Sequence, residues 1–129
     1  MTTVVDASVV VKATLAEAGF DVLSTDDFVA PPLLWSEVSS VLHGMQWRSA
    51  ISPELARIAA DRLDSSNIRS RRPRRLRAEA WSIADHLGWA KTYDAEYVAL
   101  ASLLGCQLMT IDARLQQRAG HLVDIIGPL

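Results

Sequence analysis

The chain opens on the stretch that decides the fold, Thr2-Thr3-Val4-Val5-Asp6-Ala7-Ser8. Its β-branched residues predict a short buried strand over Thr2 to Val5, ending at Asp6. A helix is predicted to follow from about Ala7 to Ala18, with Gly19 as its stop. Further short apolar segments at 28–30, 108–111 and 122–126 have the same strand character, and Ile68 marks another candidate.

Helical patterns separate these segments. They are predicted at about 34–48, from Ser52-Pro53-Glu54 onward, at 75–87 with Gly88 as a stop, at 94–104 with Gly105 as a stop, and at 113–119. Strands that alternate with helices favour an α/β fold with an open, mostly parallel sheet covered on both faces. Ligands of such sheets collect at the carboxyl ends of the strands, so residues just after strands are candidates for function.

Length and composition limit the class of protein. The 129 residues are 50% apolar and 22% charged, with no internal repeat and no linker, which predicts one domain spanning residues 1–129. The single cysteine, Cys106, excludes a disulfide framework and a CxxC-type zinc site. No basic segment precedes an apolar stretch at the N-terminus, and the longest uncharged run, 97–111, is too short to span a bilayer. We therefore expect a cytoplasmic protein without a membrane partner.

Four acids interrupt otherwise apolar or helix-forming contexts: Asp6, Glu37, Asp94 and Asp112. Each also has an ordinary interpretation. Asp94 and Asp112 stand where helix N-caps are expected, Asp6 could cap the helix after the first strand, and Glu37 could be a solvated helix residue. If the four converge, their mutual repulsion favours a cation, and all-oxygen ligation suits Mg²⁺ or Mn²⁺.

The acids lie within motifs that occur together in a known family. Val5-Asp6-Ala7-Ser8 comes first, then Glu37 in a helix behind Pro31-Pro32, then Asp94-x-x-Tyr97-Val98-Ala99-Leu100-Ala101, and finally Thr110-x-Asp112-x-x-Leu115. In order and spacing, over nearly the whole chain, this set resembles the PIN-domain ribonucleases, and among them most closely the VapC toxins of bacterial toxin–antitoxin pairs. The set is specific although Asp-x-Ser or Thr-x-Asp alone is common.

The resemblance implies a fold, an activity and site residues. The fold is a three-layer α/β/α PIN-like domain, and the activity is Mg²⁺-dependent endonucleolytic cleavage of RNA, with Mn²⁺ able to substitute. By the same resemblance Asp6 and Asp94 hold the metal ion. Glu37 and Asp112 complete the metal environment and position the attacking water, so all four acids are the implied catalytic residues.

The resemblance also implies supporting residues and partners. Ser8 and Thr110 match hydroxyls that lie near the acids. A cognate VapB-type antitoxin is the implied inhibitor, and the chain is expected to form a homodimer.

Charge is distributed unevenly in spite of a net charge of −2. Six of the eleven arginines fall within nine residues: Arg69, Arg71, Arg72, Arg74, Arg75 and Arg77. This run has three open interpretations, namely a phosphate-binding segment, an antitoxin contact, or a solvated entry to the next helix. The four tryptophans, Trp35, Trp47, Trp81 and Trp89, are expected in core or dimer packing rather than in base stacking.

Other functions compete with the toxin. A housekeeping PIN nuclease in RNA processing would share every motif, and a catalytically silent PIN-like binding module would lack at least one acid. A phosphoacceptor receiver domain, which belongs to another class, has paired acids after its first strand and a late lysine. Here Ala7 follows Asp6, and no lysine follows Lys91, so the sequence disfavours the receiver domain.

Overall fold

The computed structural model describes residues 1–22 and 27–127. The elements follow one another as β1 (Thr2–Val5), α1 (Ala7–Leu15), β2 (Asp27–Ala30), α2 (Leu33–Trp47), α3 (Pro53–Asp64), β3 (Arg69–Ser70), α4 (Leu76–Leu87), α5 (Tyr93–Leu104), β4 (Gln107–Met109), α6 (Ala113–Ala119) and β5 (Ile125–Ile126). Within these ranges, no helix is long and apolar enough to cross a bilayer.

The five strands form one sheet in the order β3-β2-β1-β4-β5, and every neighbouring pair is parallel. α1, α2 and α3 pack on one another, and α4 packs on α5. The predicted α/β class, with three α/β/α layers, is therefore confirmed. Because all strands run the same way, their carboxyl ends share one edge, at which the chain leaves β1 at Asp6 and β4 at Thr110.

Burial explains why β1 is central. Val4 and Val5 are fully buried and lie among core residues from both helix groups. A strand that is covered on both faces has a continuous run of buried residues instead of an alternating pattern. The run of β-branched residues in β1 is of this kind.

Most boundaries agree with the sequence to within one residue, and three differ by two residues or more. α1 ends at Leu15 instead of Ala18, because Ala16 is extended at φ −72° and ψ 144°, and a 3-10 turn at 19–22 follows. β4 stops at Met109 instead of Ile111, and β5 begins at Ile125 instead of Leu122. The predicted stop at Gly19 is wrong, because the C-cap of α1 is Ala16. The stops at Gly88 and Gly105 are correct, since both residues cap their helices at φ 71° and 63°, where a side chain would be strained.

Candidate active site

Asp6 is the most buried of the four acids, with 7% of its surface exposed. It caps α1, as one interpretation predicted, and its Oδ1 accepts hydrogen bonds from the Val9 amide at 3.2 Å and from Ser8 Oγ at 2.6 Å. Its Oδ2 accepts one from the Thr110 hydroxyl. Burial raises the pKa of Asp6, while these three hydrogen bonds act to lower it.

Two hydroxyls connect Asp6 to the segment after β4. Thr110 Oγ1 donates to Asp6 and accepts from the Asp112 amide at 3.0 Å. Ser8 Oγ donates to Asp6 and accepts from the Ile111 amide at 3.2 Å. The sequence predicted Ser8 and Thr110 near the acids, and both lie there, holding the ends of β1 and β4 in register.

Glu37 reaches the same edge from α2 and is half-buried. The hydroxyl of Tyr97 donates to its Oε1 at 2.5 Å, across 60 residues of sequence. Burial raises the pKa of Glu37, the bond from Tyr97 opposes that change, and the charges of nearby acids raise the pKa further. Tyr97 is itself almost fully buried, and burial together with Glu37 raises the pKa of its hydroxyl, which therefore stays a donor.

Asp94 lies in the first turn of α5 and is exposed. The interpretation of Asp94 as a helix N-cap is wrong, because α5 begins one residue before it and Thr92 occupies the cap position. Partial desolvation raises the pKa of Asp94, the charge of Asp112 raises it further, and Arg114 opposes both.

Asp112 does cap a helix, as predicted. Its Oδ1 accepts from the Arg114 amide at 2.9 Å at the start of α6, and the Arg114 Nε lies 3.7 Å from the same oxygen. That guanidinium is 89% exposed, so solvent screens the ion pair, which contributes little to stability.

The electrostatic influences join the four acids into one group. The charge of Asp94 raises the pKa of both Asp6 and Glu37, and the charge of Asp112 raises that of Asp94. Each acid comes from a different part of the chain, namely the end of β1, α2, α5 and the start of α6. Like charges in such an arrangement cost about 1 kcal/mol per pair at 4 Å even in water, and a cation would remove that cost.

Two cavities open at this group. One, of about 430 Å³, is lined by Glu37, Asp94, Trp89 and Lys91 among others. The second, of about 400 Å³, is lined by Asp94, Asp112, Trp89 and Arg114 among others. Asp94 and Trp89 border both, so the exposed carboxylate of Asp94 stands where the two cavities adjoin.

The donor set suits a hydrated hard cation. A carboxylate has about four acceptor positions, and Asp6 uses three of them, which leaves one on Oδ2. Within the described ranges 1–22 and 27–127, no three His, Cys, Asp or Glu side chains form a ready metal cage. Mg²⁺ takes one or two carboxylates and fills its other positions with water and substrate phosphate, so Asp6 and Asp94 fit it without such a cage.

Sequence reasoning gave no role to two residues of the site. Tyr97 stands three positions after Asp94, a spacing that brings side chains together on one helix face, so the motif held a signal for it. Trp89 was expected in core or dimer packing, and it does pack against the core as a partly buried side chain. It also forms a wall of both acidic cavities, which was not expected. No periodicity marks it, because it follows Gly88 in a loop between α4 and α5.

Comparison with known proteins now gives the family. The family model of the PIN domain matches residues 3–121. The chain belongs to the PIN domain family. The fold is also similar to that of the crystal structure of PAE2754 from Pyrobaculum aerophilum, with a TM-score of 0.74 and 22% sequence identity. The match covers 98% of this chain and 92% of that chain. No curated protein matches significantly.

Family membership confirms the coarser part of the sequence-based prediction. PIN domains are generally nucleases, and their activity typically depends on a divalent metal ion. The acid-lined cavities lie within the matched range 3–121.

Proposed function

We propose that this PIN domain is an endoribonuclease that requires Mg²⁺, or Mn²⁺ in its place, and that acts as the VapC-type toxin of a toxin–antitoxin pair. The observation that carries the proposal is the meeting of acids in adjoining cavities at the carboxyl edge of the sheet, where Glu37 and Asp94 line one cavity and Asp94 and Asp112 line the other. Asp6 lies at the same edge, held by the hydroxyls of Ser8 and Thr110. The resemblance of their motifs to those of VapC toxins supports the toxin role and the RNA substrate.

The roles of the acids follow from their surroundings. Asp6 and Asp94 hold the metal ion, one fixed by hydrogen bonds and the other open to solvent and substrate. When bound, the metal ion supplies an acidified water and neutralises charge on the phosphoryl oxygens. Oε1 of Glu37 accepts the hydrogen bond from Tyr97, and the other carboxylate oxygen accepts the proton of the attacking water. Asp112 orients that water for in-line attack on the phosphodiester.

The raised pKa values serve this chemistry. A base works best when its pKa lies near the working pH, and burial moves the pKa of Glu37 upward from the ordinary carboxyl range. The Tyr97 hydroxyl limits the rise and fixes the rotamer of Glu37. The side chain is therefore held in one orientation toward the site.

The nuclease proposal is tested with a mixed RNA pool, using purified protein freed of any co-purifying partner. We expect cleavage with Mg²⁺ or Mn²⁺ and none with EDTA. Cleavage that is equal in EDTA would contradict metal dependence. The absence of cleavage by a folded protein with either metal across the whole pool would contradict the proposed function.

The toxin role has its own test. We expect expression of the chain to arrest bacterial growth, and co-expression of a VapB-type antitoxin encoded beside it to restore growth. We further propose that the chain acts in the cytoplasm and forms a homodimer, which light scattering would detect. Cleavage without growth arrest would favour a housekeeping PIN nuclease instead.

A further inference from the structure

A third cavity lies beside the acidic site and is lined by different side chains. Its volume is about 410 Å³, and it opens among the starts of α2 and α5 and the segment that leads into α4. Its lining includes two arginines, an aromatic side chain, a hydroxyl and one acid, namely Arg72, Arg77, Trp81, Thr92 and Glu96.

The cavity adjoins the acids through α2. Leu33, the first residue of this helix, lines the cavity, and Glu37 lies four residues later on the same helix face. The cavity therefore starts within about one helical turn of Glu37. Glu96 is also near enough to Glu37 for its charge to raise the pKa of that residue. A bound chain could thus pass from the acids into the cavity.

The arginines of the cavity are available to a ligand. Arg72 and Arg77 are both exposed, and in the part of the chain that the structure describes neither forms an ion pair with a carboxylate. The contrast within the run is Arg69, which pairs with Asp27 at 3.4 Å. Glu96 is the cavity's own acid, and Arg72 acts on it at longer range. Two guanidiniums and one carboxylate leave this surface positive, next to an acidic site.

The aromatic side chain of the cavity is exposed. Trp81 on α4 has 64% of its surface open to solvent, so it does not pack in the core, and its expected packing in a dimer stays a prediction. A large apolar ring held at the rim of a positive cavity is the arrangement that stacks the bases of single-stranded nucleic acid while cations follow the backbone. Paired bases in a duplex are already stacked on their neighbours, so the arrangement selects unpaired ones.

Resting on the ribonuclease function proposed above, we propose that this cavity binds a single-stranded segment of the RNA substrate next to the bond that is cut. Arg72 and Arg77 contact its phosphates, and Trp81 stacks on one of its bases. Within the run from Arg69 to Arg77, Arg72 and Arg77 therefore take part in RNA binding, whereas Arg74 and Arg75 face solvent outside the cavity.

The stacking contact is tested by fluorescence anisotropy with a fluorescein-labelled, unstructured 12-nucleotide RNA in EDTA, where binding is measured without cleavage. We expect Trp81→Ala to weaken binding about 10-fold, within the range of a lost stacking contact, and Trp81→Phe to restore most of it. Trp47→Ala is the matched control, since Trp47 is 82% exposed on another helix, and we expect no change from it.

The phosphate contacts are tested through salt dependence. Each phosphate contact contributes about 0.7 to the slope of log affinity against log salt for a single strand. We expect the double variant Arg72→Gln/Arg77→Gln to lower this slope by about 1.4. The control Arg74→Gln/Arg75→Gln removes the same charge from the same run and should leave the slope near that of the wild type.

The outcomes separate this inference from the nuclease proposal. If the wild type cleaves RNA but Trp81→Ala and the Arg72/Arg77 variant bind as tightly as the wild type, the cavity proposal is wrong and the nuclease stands. If the Arg74/Arg75 control lowers the salt slope as much as the Arg72/Arg77 variant does, the contact is a diffuse charge effect and the proposal also fails. The proposal fails likewise if Trp47→Ala weakens binding as much as Trp81→Ala. If Trp81→Ala dissolves a dimer or an antitoxin complex without changing RNA affinity, the cavity is a protein interface. RNA binding that depends on the cavity without any cleavage would support the cavity and overturn the nuclease.

Discussion

The two ends of the sheet have cavities of opposite character. At the amino ends of the strands, a cavity of about 690 Å³ is larger than any of the three at the carboxyl edge. Among its described lining residues, which include Met1, Cys106, Gln107 and His121, Asp124 is the single carboxylate. The smaller cavities at the other edge are lined by Glu37, Asp94 and Asp112.

Charge, not volume, distinguishes the two ends. The acids of the carboxyl edge come from four separate parts of the chain. Burial, and to a lesser degree the charge of a neighbouring acid, raises the pKa values of Asp6, Glu37 and Asp94, which lowers the stability of the metal-free protein. A fold gains nothing from such repulsion unless a ligand offsets it, which is why perturbed ionisation is a better guide to function than cavity size. The described lining residues of the large cavity at the amino end contain no comparable cluster of acids.

The largest expected effect is on catalysis. Asp94→Asn or Glu37→Gln should each lower the rate of RNA cleavage at least 100-fold without unfolding the protein, because each removes several kcal/mol of transition-state stabilisation. Asp124→Asn, at the amino end, is the matched control and should leave the rate within about two-fold. Single-turnover cleavage together with circular dichroism checks both. Retained cleavage in Asp94→Asn would count decisively against the site.

The second effect is on stability. Thr110→Val removes the hydroxyl that donates to buried Asp6 and should lower the free energy of unfolding by about 1–3 kcal/mol, since a buried carboxylate loses a partner. Thr14→Val is the control: Thr14 is equally buried, but its hydroxyl donates to the Val11 carbonyl at 2.9 Å, away from the acids. Urea denaturation of both variants at neutral pH measures the two free energies of unfolding. An equal decrease in both variants would contradict the stabilising role assigned to the Thr110 hydroxyl.

A smaller effect concerns the pH dependence of cleavage. Tyr97→Phe removes a hydrogen bond to ionised Glu37, so the pKa of Glu37 should rise further and the acid limb of the pH–rate profile should move to higher pH. Tyr93→Phe changes an exposed hydroxyl that lines the adjoining cavity and should leave the profile in place. A shift toward lower pH in Tyr97→Phe would contradict the assigned role of Glu37.

The smallest effect is on the stability of the metal-free protein. The pKa values of Asp6, Glu37 and Asp94 are raised on folding, so between the ordinary carboxyl range and these raised values the folded protein binds more protons than the unfolded chain. Its free energy of unfolding therefore falls as pH rises through that window. Asp94→Asn removes one of these raised pKa values, so it should increase the free energy of unfolding by about 0.5 kcal/mol at neutral pH in EDTA. Denaturant titrations across pH test this, and a stability that rises through the window would contradict it.

Local signals in the sequence predicted most of the fold. The strand Thr2–Val5 and the caps at Asp6 and Asp112 follow from the chemistry of adjacent residues, and the structure has all of them. The cap assigned to Asp94 failed because α5 begins at Tyr93, and the residue at the cap position, Thr92, makes no side-chain capping bond, so no local capping bond marks where this helix starts. Such errors move a boundary by a residue or two without altering the topology.

What the sequence could not predict is tertiary. The hydrogen bond from Tyr97 to Glu37 joins two helices, and the exposure of Trp81 depends on how α4 packs against α5. Both depend on how the helices are rotated about their own axes, which local propensity does not determine. The division of the arginine run into cavity and solvent positions has the same origin.

The most direct test of the central claim is the location of the metal ion, by anomalous diffraction from crystals soaked in Mn²⁺. The account predicts the strongest peak at the carboxyl edge, in contact with the carboxylates of Asp6 and Asp94, and its loss in Asp94→Asn. A strongest peak in the cavity at the amino end, near Asp124 and His121, or no peak at the acids at a Mn²⁺ concentration that supports cleavage, would contradict it.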